Sequence, residues 1–221
     1  LSEVCFAQRR HVIDTLAEHG IEAHCVVIAD DANLDLAREQ GFATVERDNE
    51  WLGRKFNDGM EYAGKHGAEW IVPIGSDSWI DPIYFLPLPN PWETRTSAMY
   101  CAVEADRLAE LCVGRSGAGP YMFHRSLLVR SGFRPAQDEL HAGIDGSTIR
   151  GIGRPIRWRQ RDMHPLQYVG FRGTPLITPY DRLMSKWGVR EHDDPWAILA
   201  KHYPADLVQR ARSVMNVAVA A

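Results

Sequence analysis

A chain of 221 residues, 45% hydrophobic and 24% charged, has apolar mass for one large domain or one domain with a small appendage, which excludes wholesale disorder. A formal charge of −4 argues against a general polyanion binder, and no apolar run approaches the roughly 20 residues that a membrane span needs. Four scattered cysteines (Cys5, Cys25, Cys101, Cys112) form no C-x-x-C pair, so buried thiols in a reducing compartment are expected rather than a structural zinc site. The chain starts without Met or a leader-like segment, which leaves its native start open, and a soluble cytoplasmic protein is the expectation.

In chain order, Leu1 to Ala7 reads as a short first strand. Gln8-Arg9-Arg10 follows, and Val12, Ile13, Leu16 and Ala17 mark a helical face that ends at Gly20. Ala23 to Ala29 reads as a strand with Asp30-Asp31 at its tip, residues 33–40 as a helix, and Phe42 to Val45 as a third strand. Residues 51–66 read as a helix with Phe56, Met60 and Ala63 on one stripe, ended by Gly67. Then comes Trp70-Ile71-Val72-Pro73-Ile74-Gly75-Ser76-Asp77, an apolar run leading into a small-residue turn that carries an acid. This strand–helix alternation predicts a mostly parallel central sheet flanked by helices, and ligands sit at the carboxyl ends of such strands. No G-x-G-x-x-G or Walker-type loop is present, which disfavours dinucleotide dehydrogenases and P-loop enzymes.

Beyond the proline-rich break at 87–91, Ser97 to Glu104 and Arg107 to Val113 predict an antiparallel pair, the small antiparallel element of the fold. Residues 114–119 read as a Gly/Ser loop, 123–131 as a short helix closed by Gly132, and 156–161 as an exposed strand. Leu166 to Pro179 is irregular, and 194–202 and 204–219 are helical. The expected organisation is a body over residues 1–185, with halves 1–86 and 92–185, followed by a helical extension over 186–221.

The order Val26-Val27-Ile28-Ala29-Asp30-Asp31, Gly53-Arg54-Lys55-Phe56-Asn57-Asp58-Gly59, Ile74-Gly75-Ser76-Asp77 and Asp81-Pro82 resembles the family 2 glycosyltransferases of GT-A fold. The resemblance covers roughly the first 150 residues, continuing through Gly119 to Arg125 and Gly143-Ile144-Asp145-Gly146. It implies a Rossmann-like nucleotide-sugar fold with residues 1–86 as the nucleotide half and 92–185 as the acceptor half. It implies transfer of a sugar from a UDP-, GDP- or dTDP-sugar to a hydroxyl acceptor, dependent on Mn²⁺ or Mg²⁺ and inverting. Asp31 matches the acid that bonds the nucleotide base, with Asp30 beside it as the alternative, and either acid could instead cap the following helix. Arg54 and Asn57 match positions beside the nucleotide, and Ser76 lies in the donor-binding turn. Asp77 matches the metal-binding acid of a D-x-D motif whose first acid is Gly75 here. His164 matches a C-terminal histidine that ligates metal in some members, and Asp145 matches the general base.

The chemistry is consistent with those assignments. Charge builds on the leaving diphosphate, so a cation or arginines must meet it, and a divalent ion needs few protein carboxylates because phosphate oxygens and waters complete its shell. Asp145 is also a favoured helix-cap residue type, and Asp77 also fits an ordinary surface turn. His141 offers an alternative acceptor-site group, and Trp79, beside Asp77, is the aromatic placed to stack on a base or sugar ring. Arg157, Arg159 and Arg161 share one strand face within a run from Arg150 to Arg172, suited either to solvent or to phosphate, including a phosphate-bearing or nucleic-acid acceptor. Two other functions stay open: a non-catalytic nucleotide- or carbohydrate-binding module, and a sugar-nucleotide pyrophosphorylase. The latter needs a glycine-rich basic loop where Gln8-Arg9-Arg10 stands.

Overall fold

The computed structural model describes every residue except 98, 105, 113–117, 154–155, 161–164, 172–184, 186–188 and 221, and describes backbone alone at 31–32, 97, 99–100, 111–112, 118–119, 159–160, 165 and 217–220. The chain opens with a helix, α1 (Ser2–Glu18), where the sequence suggests a strand followed by a helix. The apolar opening run is ambiguous by period, and burial resolves it: Val4, Gln8, Val12 and Leu16 fall one turn apart on a single buried face. Gln8 is tolerated there because its Nε2 donates to the carbonyl of Ile80 at 2.5 Å.

Strand β1 (Val26–Ala29) pairs in parallel with β2 (Ala43–Glu46), with Val26 opposite Ala43, and α2 (Asp31–Glu39) makes the crossover. Helix α3 (Leu52–Lys65) then leads to β3 (Trp70–Ile71), and the turn at 72–77 leads to β4 (Ser78–Ile80). From there the chain runs through β5 (Glu93–Ser97), β6 (Met99–Glu104), β7 (Arg107–Cys112) and β8 (Ala118–His124). Next come α4 (Arg125–Leu128), α5 (Ile144–Ile152), β9 (Arg157–Gln160), β10 (Tyr168–Phe171), β11 (Val189–His192), α6 (Pro195–Leu199) and α7 (Ala205–Ala220).

Three sheets result among the described residues: β1-β2, β11-β7-β6-β10-β4 and β3-β8-β5-β9. The architecture is mixed α/β. The expectation of a mostly parallel sheet is corrected, because β1-β2, β6-β10 and β5-β9 are parallel while the other described pairings are antiparallel. A parallel crossover needs a dozen or more residues, so the short link between β6 and β7 allows only an antiparallel return; the remaining antiparallel pairings join strands distant in sequence. The β6–β7 pair matches its prediction, with Tyr100 opposite Leu111. Two boundaries differ. Residues up to His124 belong to β8 rather than to the following helix, and part of the segment expected to be irregular forms β10.

The C-terminal helices are joined to the body. Trp196, Leu199, Tyr203, Leu207, Val208, Ala211 and Met215 share one buried cluster with Val4 and Cys5 of α1 and with Trp79, Val169 and Phe171. Among the described residues, no helix is long and apolar enough to cross a membrane.

Candidate functional site

The turn between β3 and β4 is shaped by α1. Arg9 sits in the middle of that helix and sends one Nη2 to the carbonyls of Gly75 (3.2 Å) and Ser78 (2.5 Å). A guanidinium has donors but no acceptor, so it suits a turn whose carbonyls would otherwise lack partners. Gln8-Arg9-Arg10 is therefore part of a continuous helix, with Gln8 buried, and not the phosphate-gripping loop a pyrophosphorylase would need.

The held turn presents Asp77. Its Oδ1 accepts from Ser78 Oγ at 3.0 Å, and Ser78 Oγ in turn accepts from the Tyr168 hydroxyl at 3.3 Å. Strand β10 supplies that tyrosine through its antiparallel pairing with β4, with Tyr168 opposite Ile80 and Gly170 opposite Ser78. Phe171 N–H fastens the main chain of Asp77 at 2.8 Å. Gly75 leaves room for that carboxylate: a Cβ there would stand 2.7 Å from Asp77 Oδ1, which would have to rotate away.

Asp145 lies in the first turn of α5, a helix started by Gly143 in the left-handed region at φ 70°. Its side chain reaches solvent yet is hemmed in by protein, and burial raises its carboxyl above the ordinary carboxylate range. Its charge reaches two phenols. Burial is the main force raising Tyr121 and Tyr168, with Asp145 adding to both and Asp77 adding to Tyr168, whose hydroxyl is pushed up to about 12. Tyr168 thus stands within electrostatic reach of both acids and remains a neutral donor at physiological pH. Trp158 completes this side, its ring 5.6 Å from that of Tyr121. The arrangement offers two carboxylates that accept hydrogen bonds or bind cations, flanked by neutral phenols and an indole.

Other predicted site residues lie elsewhere or do other work. Asp30 is the N-terminal flanking residue of α2, without a side-chain cap bond, and it accepts from Asn49 Nδ2, while Lys55 Nζ donates to Asn49 Oδ1. Burial lowers the Lys55 ammonium, against the opposing pull of Asp30 and Asp48. The side chain of Asp31 lies outside the described residues, as does His164. Ser76 is exposed in the turn beside Asp77. Trp79 is corrected: it is 0% exposed, wedged against Phe171 and Tyr203, and cannot stack on a ligand. Both faces of β4 are covered, Ser78, Trp79 and Ile80 all being buried. His141 stacks on Trp51 with ring centroids 4.3 Å apart, over the start of α3.

Asn57 is likewise corrected. It is 1% exposed, its Nδ2 donates to Ala136 O (2.8 Å) and Asp138 Oδ1 (2.8 Å), and its Oδ1 accepts from Ala136 N (3.0 Å). The whole run from Gly53 to Gly59 turns out to be a packing motif. A Cβ on Gly53 would stand 1.9 Å from the Gln137 carbonyl oxygen, and one on Gly59 3.2 Å from Ile28. Arg54 belongs to the same junction, its N–H bonding Asp138 O at 3.0 Å and its charge helping to lower the Asp138 carboxyl. Asp58 holds Arg47 (2.6 Å) and Arg134 (2.8 Å), and Arg134 also reaches Glu61 and Asp138. In the basic run, exposed Arg157 faces Glu93 at 3.5 Å; Arg154, Arg161 and Arg172 and the side chain of Arg159 lie outside the described residues.

Sequence reasoning passed over Tyr168 and Arg9 as site-forming residues. Tyr168 sat in a segment read as irregular, and Arg9 became legible only once α1 was known to be continuous. Among the described residues, no three or more His, Cys, Asp or Glu side chains converge in a group that could hold a metal ion. No family model matches the chain, and no curated protein matches it either.

Proposed function

We propose that the chain is a metal-dependent, inverting glycosyltransferase of GT-A fold, moving a sugar from a nucleotide-sugar donor to a hydroxyl acceptor. The observation that supports this reading is that Tyr168, tied through Ser78 to Asp77, also lies within electrostatic reach of Asp145, the two acids to which the resemblance assigns complementary roles. Asp145 is the base. A carboxylate whose pKa lies above its usual range accepts a proton more readily, and its position at the mouth of α5 leaves room for an acceptor hydroxyl. The acceptor oxygen bonds the anomeric carbon as the bond from that carbon to the diphosphate breaks. The proton goes to Asp145, and the nucleoside diphosphate leaves.

Asp77 would hold Mn²⁺ or Mg²⁺ together with diphosphate oxygens, and that ion would offset the charge developing on the leaving group. One protein carboxylate fits this chemistry because the hard cation takes its other ligands from phosphate and water. Ser78 and Tyr168 fix the orientation of Asp77. The donor assay below identifies the nucleotide sugar, and the acceptor, including a phosphate-bearing or nucleic-acid one, is then sought by transfer from that donor.

A second reading, a nucleotide- or carbohydrate-binding module without turnover, is favoured by Gly75 in place of the first acid. Donor hydrolysis with UDP-, GDP- and dTDP-sugars, in Mn²⁺ or in EDTA, separates the two. Metal-dependent release of nucleoside diphosphate is expected. Metal-dependent donor binding without turnover would favour the module, and neither binding nor turnover with any donor would overturn both.

A further inference from the structure

The sheets β1-β2 and β3-β8-β5-β9 are separate, yet the same two helices cover both. On one face, Val12 and Leu16 of α1 share a cluster with Trp70, Val72 and Ile74, while the adjacent Ile13 shares another with Cys25 and Val27. On the other face, Gly59 of α3 lies against Ile28, and Met60, the next residue, packs with Ile71. Successive residues of each helix therefore serve β1 and β3 in turn. Both strands run the same way. The end of β1 at Asp30 is linked through Asn49 to the first turn of α3, whereas β3 starts beside Ala63 and Ala68 near that helix's end.

Magnitudes then define the gap. Paired strands lie about 4.8 Å apart, and a helix with its side chains is roughly 10 Å wide. Two strands under one turn that do not pair with each other stand about two strand spacings apart, which leaves the width of one strand. The walls of this hollow are main chain. Cys25 O and Ala29 O accept from β2, so alternation turns the amides of Val26 and Ile28 to the opposite edge. Glu69 O accepts from Arg125 beyond the end of β8, so the amides of Trp70 and Val72 face the hollow from the other side. No strand among the described residues pairs with either edge. Val26, Val27, Ile28, Trp70, Val72 and Ile74 are only part-buried, although strands covered on both faces normally bury such residues.

We infer that the hollow between β1 and β3, roofed by α1 and floored by α3, binds an extended apolar peptide strand from outside these 221 residues, running parallel to β1. A helix or a compact side chain would leave both ladders of N–H and C=O groups unpaired, whereas one extended chain satisfies both edges at once. Because helices cover both faces, the occupant must be apolar on both sides, a run rich in Val and Ile. Its insertion would join the two sheets into one, in the order β2-β1-peptide-β3-β8-β5-β9. This inference does not depend on the reaction proposed above.

The test is amide hydrogen exchange on the full chain with and without the peptide Lys-Lys-Val-Ile-Val-Val-Ile-Lys. Exchange at Val26, Ile28, Trp70 and Val72 should slow by about tenfold or more, while Val27 and Ile71, already paired, change little. The same peptide N-methylated at alternate residues should lose the effect. Three results would overturn the inference: slow exchange at those four amides before peptide is added, no slowing with it, or protection that tracks self-association of the protein.

Discussion

Asp77 and Asp145 differ in what surrounds them, and that difference sets what each substitution should do. Asp77→Ala should abolish donor turnover and leave the melting temperature within a few degrees, because the turn is held by Arg9 on main-chain carbonyls rather than by the carboxylate; activity and thermal melts measured together check this. Gly75→Ala is the sharper experiment. The added Cβ collides with Asp77 Oδ1 at 2.7 Å, so the carboxylate must swing away from Ser78 while the core is untouched. A large drop in turnover in a protein that melts normally is expected, and full activity would refute the role given to Asp77. Asp145 is raised by burial, so its folded pKa exceeds its unfolded one. Its ionisation therefore disfavours the folded state as pH rises, and Asp145→Asn should not lower thermal stability at neutral pH. Turnover of the native protein should fall as pH drops through that raised value, giving an acid limb in kcat/KM above the usual carboxylate range. Trp79→Ala belongs to another category: it empties a fully buried site and should cost about 3–5 kcal/mol in urea denaturation.

Helix α3 shows how a polar residue expected beside a ligand can be taken up by packing. Gly53 and Asn57 lie one turn apart on the face that meets residues 136–138, and both are consumed by that contact. Asn57→Ala leaves the N–H and C=O of Ala136 without their partner and should destabilise by about 2 kcal/mol, read from chemical denaturation. The same junction carries an acid-sensitive network. Hydrogen bonds from Lys65 and Arg134 lower Glu61, and a hydrogen bond from Asn57, with the charge of Arg134, lowers Asp138. Groups with folded pKa below the unfolded value add stability that is complete above the unfolded pKa and disappears as pH falls through the folded one. Stability should therefore decline below about pH 4.5, from the ordinary carboxylate values, and Arg134→Met should flatten that decline in melts run from neutral to acid pH. Periodicity could find α3 and its apolar stripe; it could not say that its polar residues face a loop eighty positions later.

At the scale of the molecule, the C-terminal helices close over α1 and Trp79, and their residues from Trp196 to Met215 share a core with the first helix. Sequence alone determined the elements whose pattern is local: β1, α2, β2, α3 and the β6–β7 hairpin, each bounded by turn residues and marked by its own period. The sites proposed at Asp77 and Asp145 rest on the resemblance together with their places in a small-residue turn and beside a helix start. Only the tertiary structure decided the helical state of residues 2–7, since an apolar run of that length fits either period until a face is buried. It alone decided the mixed sheets, which depend on which distant strands pair. It alone brought Tyr168 within electrostatic reach of both acids and sent Trp79 and Asn57 into the interior. Burial and long-range pairing are properties of the assembled chain, and no window of neighbouring residues contains them.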